Sequence, residues 1–166
     1  MSSRVAVVLA AVCASPAWAG ADQLSGERAY YAAGAGGYLS LVGVGDAGPT
    51  GEIEWYPGGA WGRFGVRAAY QGFDYDFNGA LLAAGVSYTA GATRPHLHVA
   101  LHGDIALTVD DPDGTAAGIG GGLQTQLWVW GPLAVGLDST AHVLYRADDE
   151  ELTLHLASAL TLRLSF

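Results

Sequence analysis

From Glu151 to Phe166 the chain alternates without a break. One parity reads Leu152, Leu154, Leu156, Ser158, Leu160, Leu162, Leu164 and Phe166. The other reads Thr153, His155, Ala157, Ala159, Thr161, Arg163 and Ser165. Successive side chains of a strand point to opposite faces, so this is one long strand with an apolar face and a small-polar face. A helix would scatter the same leucines around its axis. Strands of soluble sheets usually run ~5–6 residues, and this one is far longer.

The same period recurs upstream. In 96–110, Leu97, Val99, Leu101, Ile105, Leu107 and Val109 share one face, and His96, His98, His102, Asp104 and Thr108 share the other. In 133–146, Leu133, Val135, Leu137, Val143 and Tyr145 stand against Asp138, Thr140, His142 and Arg146. In 62–75, Phe64, Val66, Ala68 and Tyr70 stand against Arg63, Arg67 and Gln71. Segments 78–91 and 118–130 alternate more weakly and are rich in Gly and Ala. At the front, strands are expected near 36–45 and 49–57, with 20–35 as a lead-in or an extension of the first strand. Eight strands of mostly 10–15 residues, joined by short hairpins, predict an all-β fold: an eight-stranded antiparallel up-and-down barrel over 36–166. Tilted membrane strands need ~9–11 residues, so the strands are long enough to be transmembrane.

The connections alternate in chemistry. The first, third, fifth and seventh carry Asp46; Asp74 and Asp76; Asp110, Asp111 and Asp113; and Asp148, Asp149, Glu150 and Glu151. The even connections, around 57–60, 91–95 and 131–132, are tight and hold no acid. In an up-and-down barrel the odd connections share one end. One rim is therefore acidic and the other short and neutral to basic.

Residues 1–19 read as an export signal. Arg4 precedes the apolar run Val5–Val12, and Ala17-x-Ala19 is the small-x-small pattern of signal-peptidase cleavage. The run is too short to span a bilayer, and no later segment reaches 18 consecutive apolar residues. With net charge −9, no lysine and all seven basic residues arginine, the chain lacks the basic footprint of a nucleic-acid binder. One cysteine excludes a disulfide scaffold. At 51% hydrophobic and 14% charged, it is too apolar for disorder.

Aromatic residues gather near the strand ends. Trp55, Tyr56, Trp61, Tyr88, Trp128, Trp130 and Phe166 lie toward the tight turns; Tyr70, Phe73, Tyr75, Phe77 and Tyr145 lie toward the acidic ones. Two aromatic belts around an apolar band suit the two interfaces of a membrane. With these residues in view, 20–166 resembles the small eight-stranded outer-membrane β-barrels of Gram-negative bacteria, the class of OmpX and the OmpA membrane domain. The likeness is one of architecture. Its most specific element is Leu160-x-Leu162-x-Leu164-x-Phe166, which resembles the terminal signal read by the outer-membrane assembly machinery. The resemblance implies Sec-type export, tight turns in the periplasm, acidic loops outside, and lipid and lipopolysaccharide as surroundings. The loops are shorter than the adhesive loops of many relatives.

Alternation alone does not say which face is inside, since a soluble barrel puts its apolar face inward. The polar face here is mostly Gly, Ala, Thr, Gln and His with few charges. It makes a poor aqueous surface and a good cramped interior. The expected interior network is Glu52, Glu54, Asp104 and Asp138 against Arg63, Arg67 and Arg163, with His102, Gln124, His142 and His155. Hairpin pairing puts Glu54 opposite Arg63, His142 opposite His155, His102 near Gln124, Asp104 near Gly122 and Asp138 near Gln124 or Gln126. Buried charges must be paired, so this set reads as a rigid plug.

Other readings compete. A narrow ion or small-solute channel would use the same interior. A soluble ligand-binding barrel would reverse the faces. His102, Asp104, His142 and His155 are ligand types for a zinc-like ion. His98 and His102, however, stand ~13 Å apart along a strand. A lipid A-modifying enzyme needs Ser, His and an acid in reach, and Ser139 and His142 have opposite parity. No catalytic group and no organic cofactor is expected. At the acidic rim, Asp110, Asp111 and Asp113, or Asp148, Asp149 and Glu150, are candidates to gather a divalent cation, since hard cations take clustered carboxylates.

Overall fold

Eight strands alternate inward and outward over most of their length in the computed structural model, which describes residues 29–43, 47–61, 63–74, 79–94, 97–111, 114–130 and 132–166. They are β1 (Tyr30–Val42), β2 (Ala47–Tyr56), β3 (Phe64–Gly72), β4 (Ala80–Arg94), β5 (Leu97–Val109), β6 (Ala116–Trp130), β7 (Leu133–Arg146) and β8 (Glu151–Ser165). Each pairs antiparallel with the next, and β1 pairs with β8 to close the barrel. Closure removes the free edges that an open sheet of such long strands would expose. The expected export signal, 1–19, lies outside the described residues.

The first strand begins at Tyr30, six residues before the expected limit. The segment Tyr30–Ala35 pairs with Gly51–Tyr56, so of the two readings of this stretch it is an extension of the first strand and not a lead-in. Three glycines, three alanines and three tyrosines in β1 blur its alternation in the sequence; the partner strands supply the order that the side chains do not.

Parity decides what faces out. Ile53, Val66, Leu101, Ile105, Ile119, Leu137, Leu160 and Leu162 all stand exposed on the outer wall, Ile105 at 68% and Leu162 at 60%. Glu52, Arg67, His102, Asp104, Gln124, Asp138, His142 and Arg163 are buried inside. This is the reverse of a soluble barrel, and the reading with apolar faces inward is not realised.

The interior is closed near both ends by rings and hydrocarbon. Toward the tight turns, Tyr30, Tyr56, Trp128, Ala32 and Ala134 form one cluster. Tyr30 and Tyr56 stack with ring centres 4.5 Å apart. Toward the acidic loops, Phe73, Leu81, Leu144, Ala83, Ala106 and Ala116 form another, with Tyr38, Ala157 and Ala159 beside it. Three of the residues expected in the aromatic belts therefore turn inward: Tyr56, Trp128 and Phe73. Tyr56 follows outward Trp55, so the pleat sends it into the lumen. Trp55, Trp61, Tyr88 and Trp130 do stand on the outside. Tyr75 and Phe77 lie outside the described residues.

Inward glycines make room for the interior rings. A Cβ on Gly120 would lie 2.5 Å from His142 Cδ2, and one on Gly122 would lie 2.6 Å from His102 Nε2. The Gly-rich weak alternation of β6 is thus the complement of two histidines on its neighbours.

Candidate functional site: the charged interior

The site is built by six strands that project into one lumen, β6 contributing Gln124. Glu52 and Glu54 come from β2, Arg67 from β3, His102 and Asp104 from β5, Asp138 from β7 and Arg163 from β8. Side chains two apart on one strand share a face, which is why Glu52 with Glu54, and His102 with Asp104, act as pairs.

Arg163 donates to Glu52 Oε1 at 2.7 Å and to Glu54 Oε2 at 2.6 Å. Gln124 Nε2 donates to Glu52 at 2.9 Å, and Gln126 donates to Gln124 at 2.6 Å. Tyr56 donates its hydroxyl to Glu54 at 3.3 Å, tying the ring cluster to the charges.

Arg67 is the hub. It reaches Asp138 at 3.0 Å, Asp104 at 3.3 Å, Glu52 at 3.4 Å and Glu54 at 3.9 Å, and it touches His102. His102 lies between two carboxylates: Nδ1 is 2.7 Å from Asp104 Oδ2, and Nε2 is 3.0 Å from Asp138 Oδ1. Four carboxylates thus face two guanidiniums and this ring. In a low-dielectric interior such pairs hold only when nearly every partner is in place.

Further toward the acidic loops the network thins. His142 Nε2 is 3.7 Å from Asp104 Oδ2. His142 faces His155 across β7 and β8, with ring centres 6.3 Å apart. His155 Nε2 lies 3.1 Å from Gln71 Oε1, and Tyr38 meets the His155 ring edge-on.

Most expected interior residues meet here: Glu52, Glu54, Arg67, His102, Asp104, Gln124, Asp138 and Arg163 in one network, with His142 and His155 above it. Arg63 does not join them. It lies exposed in the turn before β3. The β2–β3 hairpin is centred on a 3-10 turn at Gly59–Trp61 and not on Gly58-Gly59, so Glu54 pairs with Arg67. Two further pairings shift by two residues. His102 is opposite Gly122 and Asp104 opposite Gly120, because the β5–β6 hairpin is centred one residue earlier than the expected pairing requires. The Asp138–Gln124 and His142–His155 pairings are as expected. Sequence reasoning put Gln71 and Thr140 on the polar faces but gave them no role. It also missed the lid residues Leu81 and Leu144, whose parity marks them as inward.

Ser139 and His142 stand on opposite sides of the wall. Ser139 is outside, with its hydroxyl 3.2 Å from that of Ser158. Among the described residues, no group of three or more His, Cys, Asp or Glu side chains is arranged to hold a metal ion. At the acidic rim Arg146 takes the central position. It lies 3.3 Å from Glu151, 3.5 Å from Asp149 and 3.8 Å from Asp111. Asp110, Asp148 and Glu150 are exposed around it, and Asp113 lies outside the described residues. The carboxylates nearest the wall therefore already have a guanidinium as counter-charge.

No family model, no curated protein and no solved structure matches this chain. The class is defined by the fold itself: a closed, eight-stranded, antiparallel up-and-down β-barrel. Its distinguishing property is an interior of ion pairs inside an apolar outer wall.

Proposed function

We propose that this chain is an integral outer-membrane β-barrel of a Gram-negative bacterium, with a structural or surface-interaction role and no catalysis. The observation that carries this reading is the outward apolar wall around a polar, ion-paired lumen. Water rewards the opposite arrangement, since exposed apolar patches on soluble monomers rarely exceed a few hundred Å². Lipid accepts leucine and isoleucine on the outside, and the barrel satisfies its backbone within its own closed sheet. Exposed Trp55, Trp61, Tyr88 and Trp130 mark the interface at the tight-turn rim.

The rest of the reading follows the sequence. Residues 1–19 direct Sec-type export. Leu160, Leu162, Leu164 and Phe166 present the terminal signal to the assembly machinery; Leu160 and Leu162 point out of the wall, and Phe166 stacks on Tyr31 at 6.3 Å. The acidic loops face the lipopolysaccharide side. The ion-paired lumen and the two ring-and-hydrocarbon lids support a plug over a channel.

The test is heat-modifiability. The chain is folded in detergent and run on SDS gels with and without boiling. A faster unboiled band is the expected result. Absence of that shift, together with folding in plain buffer, overturns the membrane reading. Steady conductance steps in a planar bilayer would overturn the plug alone.

A further inference from the structure

A small space lies between the ion network and the lid near the acidic loops. It has a volume of about 10 Å³ and is lined by Arg67, Gln71, Asp104, Thr140 and His142, with Ala69, Leu81 and Ala83 on its apolar side. Thr140, His142 and Asp104 are all more than nine-tenths buried. Thr140 Oγ1, Asp104 Oδ1 and both ring nitrogens of His142 have no hydrogen-bond partner in the protein. The approach of His142 Nε2 to Asp104 Oδ2, at 3.7 Å, is too long for a direct bond. Three polar side chains from β5 and β7 thus converge on one space with their hydrogen-bonding capacity unused.

A buried polar atom without a partner carries a desolvation penalty, and native interiors almost always satisfy such atoms. A cavity holds a water when it offers roughly one probe sphere of room and two to four polar partners. This space meets both conditions. We propose that it is a binding site for a single ordered water, which joins Asp104, Thr140 and His142. The hydroxyl of Thr140 donates to the water, and the water donates to Asp104 Oδ1. The third bond runs between the water and a ring nitrogen of His142.

The water extends the charged half of the lumen into the histidine half. Through it His142, and the His155 ring beside it, become anchored to the network centred on Arg67. Leu81 and Ala83 shield the site on the side of the lid, so its occupant exchanges only when the barrel opens locally. The inference depends on the interior alone and holds whether the outer wall meets lipid or detergent.

The experiment is a crystal structure of the full chain folded in detergent, at a resolution that shows water, together with two variants. The expected result is one density peak ~2.6–3.2 Å from Thr140 Oγ1, Asp104 Oδ1 and a His142 nitrogen. Thr140→Ser keeps the peak. Thr140→Val keeps the shape but removes the hydroxyl; it loses the peak and lowers the folded-to-unfolded ratio about fivefold or more relative to Thr140→Ser. In solution, a magnetisation-transfer signal from long-lived water to the His142 ring reports the same site without a crystal. Three outcomes overturn the proposal: no peak in the parent chain, a peak that survives in Thr140→Val, or contacts to oxygen near ~2.4 Å, which mark a metal cation.

Discussion

Near the tight turns the lumen is filled by Arg67, Arg163 and the carboxylates they bind; near the acidic loops it is filled by Leu81, Leu144 and Phe73. Both halves are tightly occupied, yet by opposite means. The charged half is held by directional bonds that link β2, β3, β5, β6, β7 and β8 across the lumen. The apolar half is held by shape. Between them stand His142 and His155, whose contacts are longer and fewer. The contrast teaches that a narrow barrel can be plugged by either chemistry, and that the two fail differently. Losing one member of an ion network strands its partners, while losing a methyl group only leaves a hole.

The largest effect is expected in the charged half. Arg67→Met leaves Glu52, Glu54, Asp104 and Asp138 with a single guanidinium, Arg163. The expected loss is about 3–5 kcal/mol, read from the urea midpoint of barrels folded into lipid vesicles. A loss below ~1 kcal/mol would mean that the network adds little and the contrast is false. In the apolar half, Leu144→Ala is expected to destabilise by about 2–5 kcal/mol through its cavity. The same vesicle titration measures it, and its effect is expected to add to that of a conservative change at Glu54, since the two share no partner.

The outer wall gives the third check. Ile105→Arg puts a charge in the middle of the apolar band, with an expected cost of about 2–4 kcal/mol in vesicles. An unchanged midpoint would remove the lipid assignment while leaving both halves of the lumen intact. The smallest effect is expected at the rim. Arg146→Gln breaks ion pairs with the half-exposed Asp149 and Glu151 and a longer contact, 3.8 Å, with the more buried Asp111, and is expected to cost about 1 kcal/mol, fading with added salt. Should it match Arg67→Met, the distinction between lumen and rim would collapse.

Much of this was legible in the residues. The strands from β3 onward, the inward parity of Arg67, His102, Asp104, Asp138, His142, His155 and Arg163, and the acidic and tight rims all follow from a period of two and from turn chemistry. For Tyr30–Ala35 the residues leave lead-in and strand extension both open, because Gly and Ala carry no contrast between faces. Arg63 was misplaced because a hairpin of uncertain centre moves its register by two or four residues while keeping parity. The inward lids at Tyr56, Trp128 and Phe73 were read as belt residues because position near a strand end was weighed above parity.

What the sequence determined by itself is the local part: which segments are strands, which side chains share a face, and that one face is apolar and the other polar. These follow from neighbours along the chain, because the pleat is set residue by residue. Only the tertiary structure decided which polar groups meet. Arg67 and Asp138 are 71 positions apart, and Arg163 and Glu52 are 111 apart. Such pairs depend on how β1 closes on β8 and on the stagger of the strands around the barrel, and neither leaves a mark in any short stretch of residues.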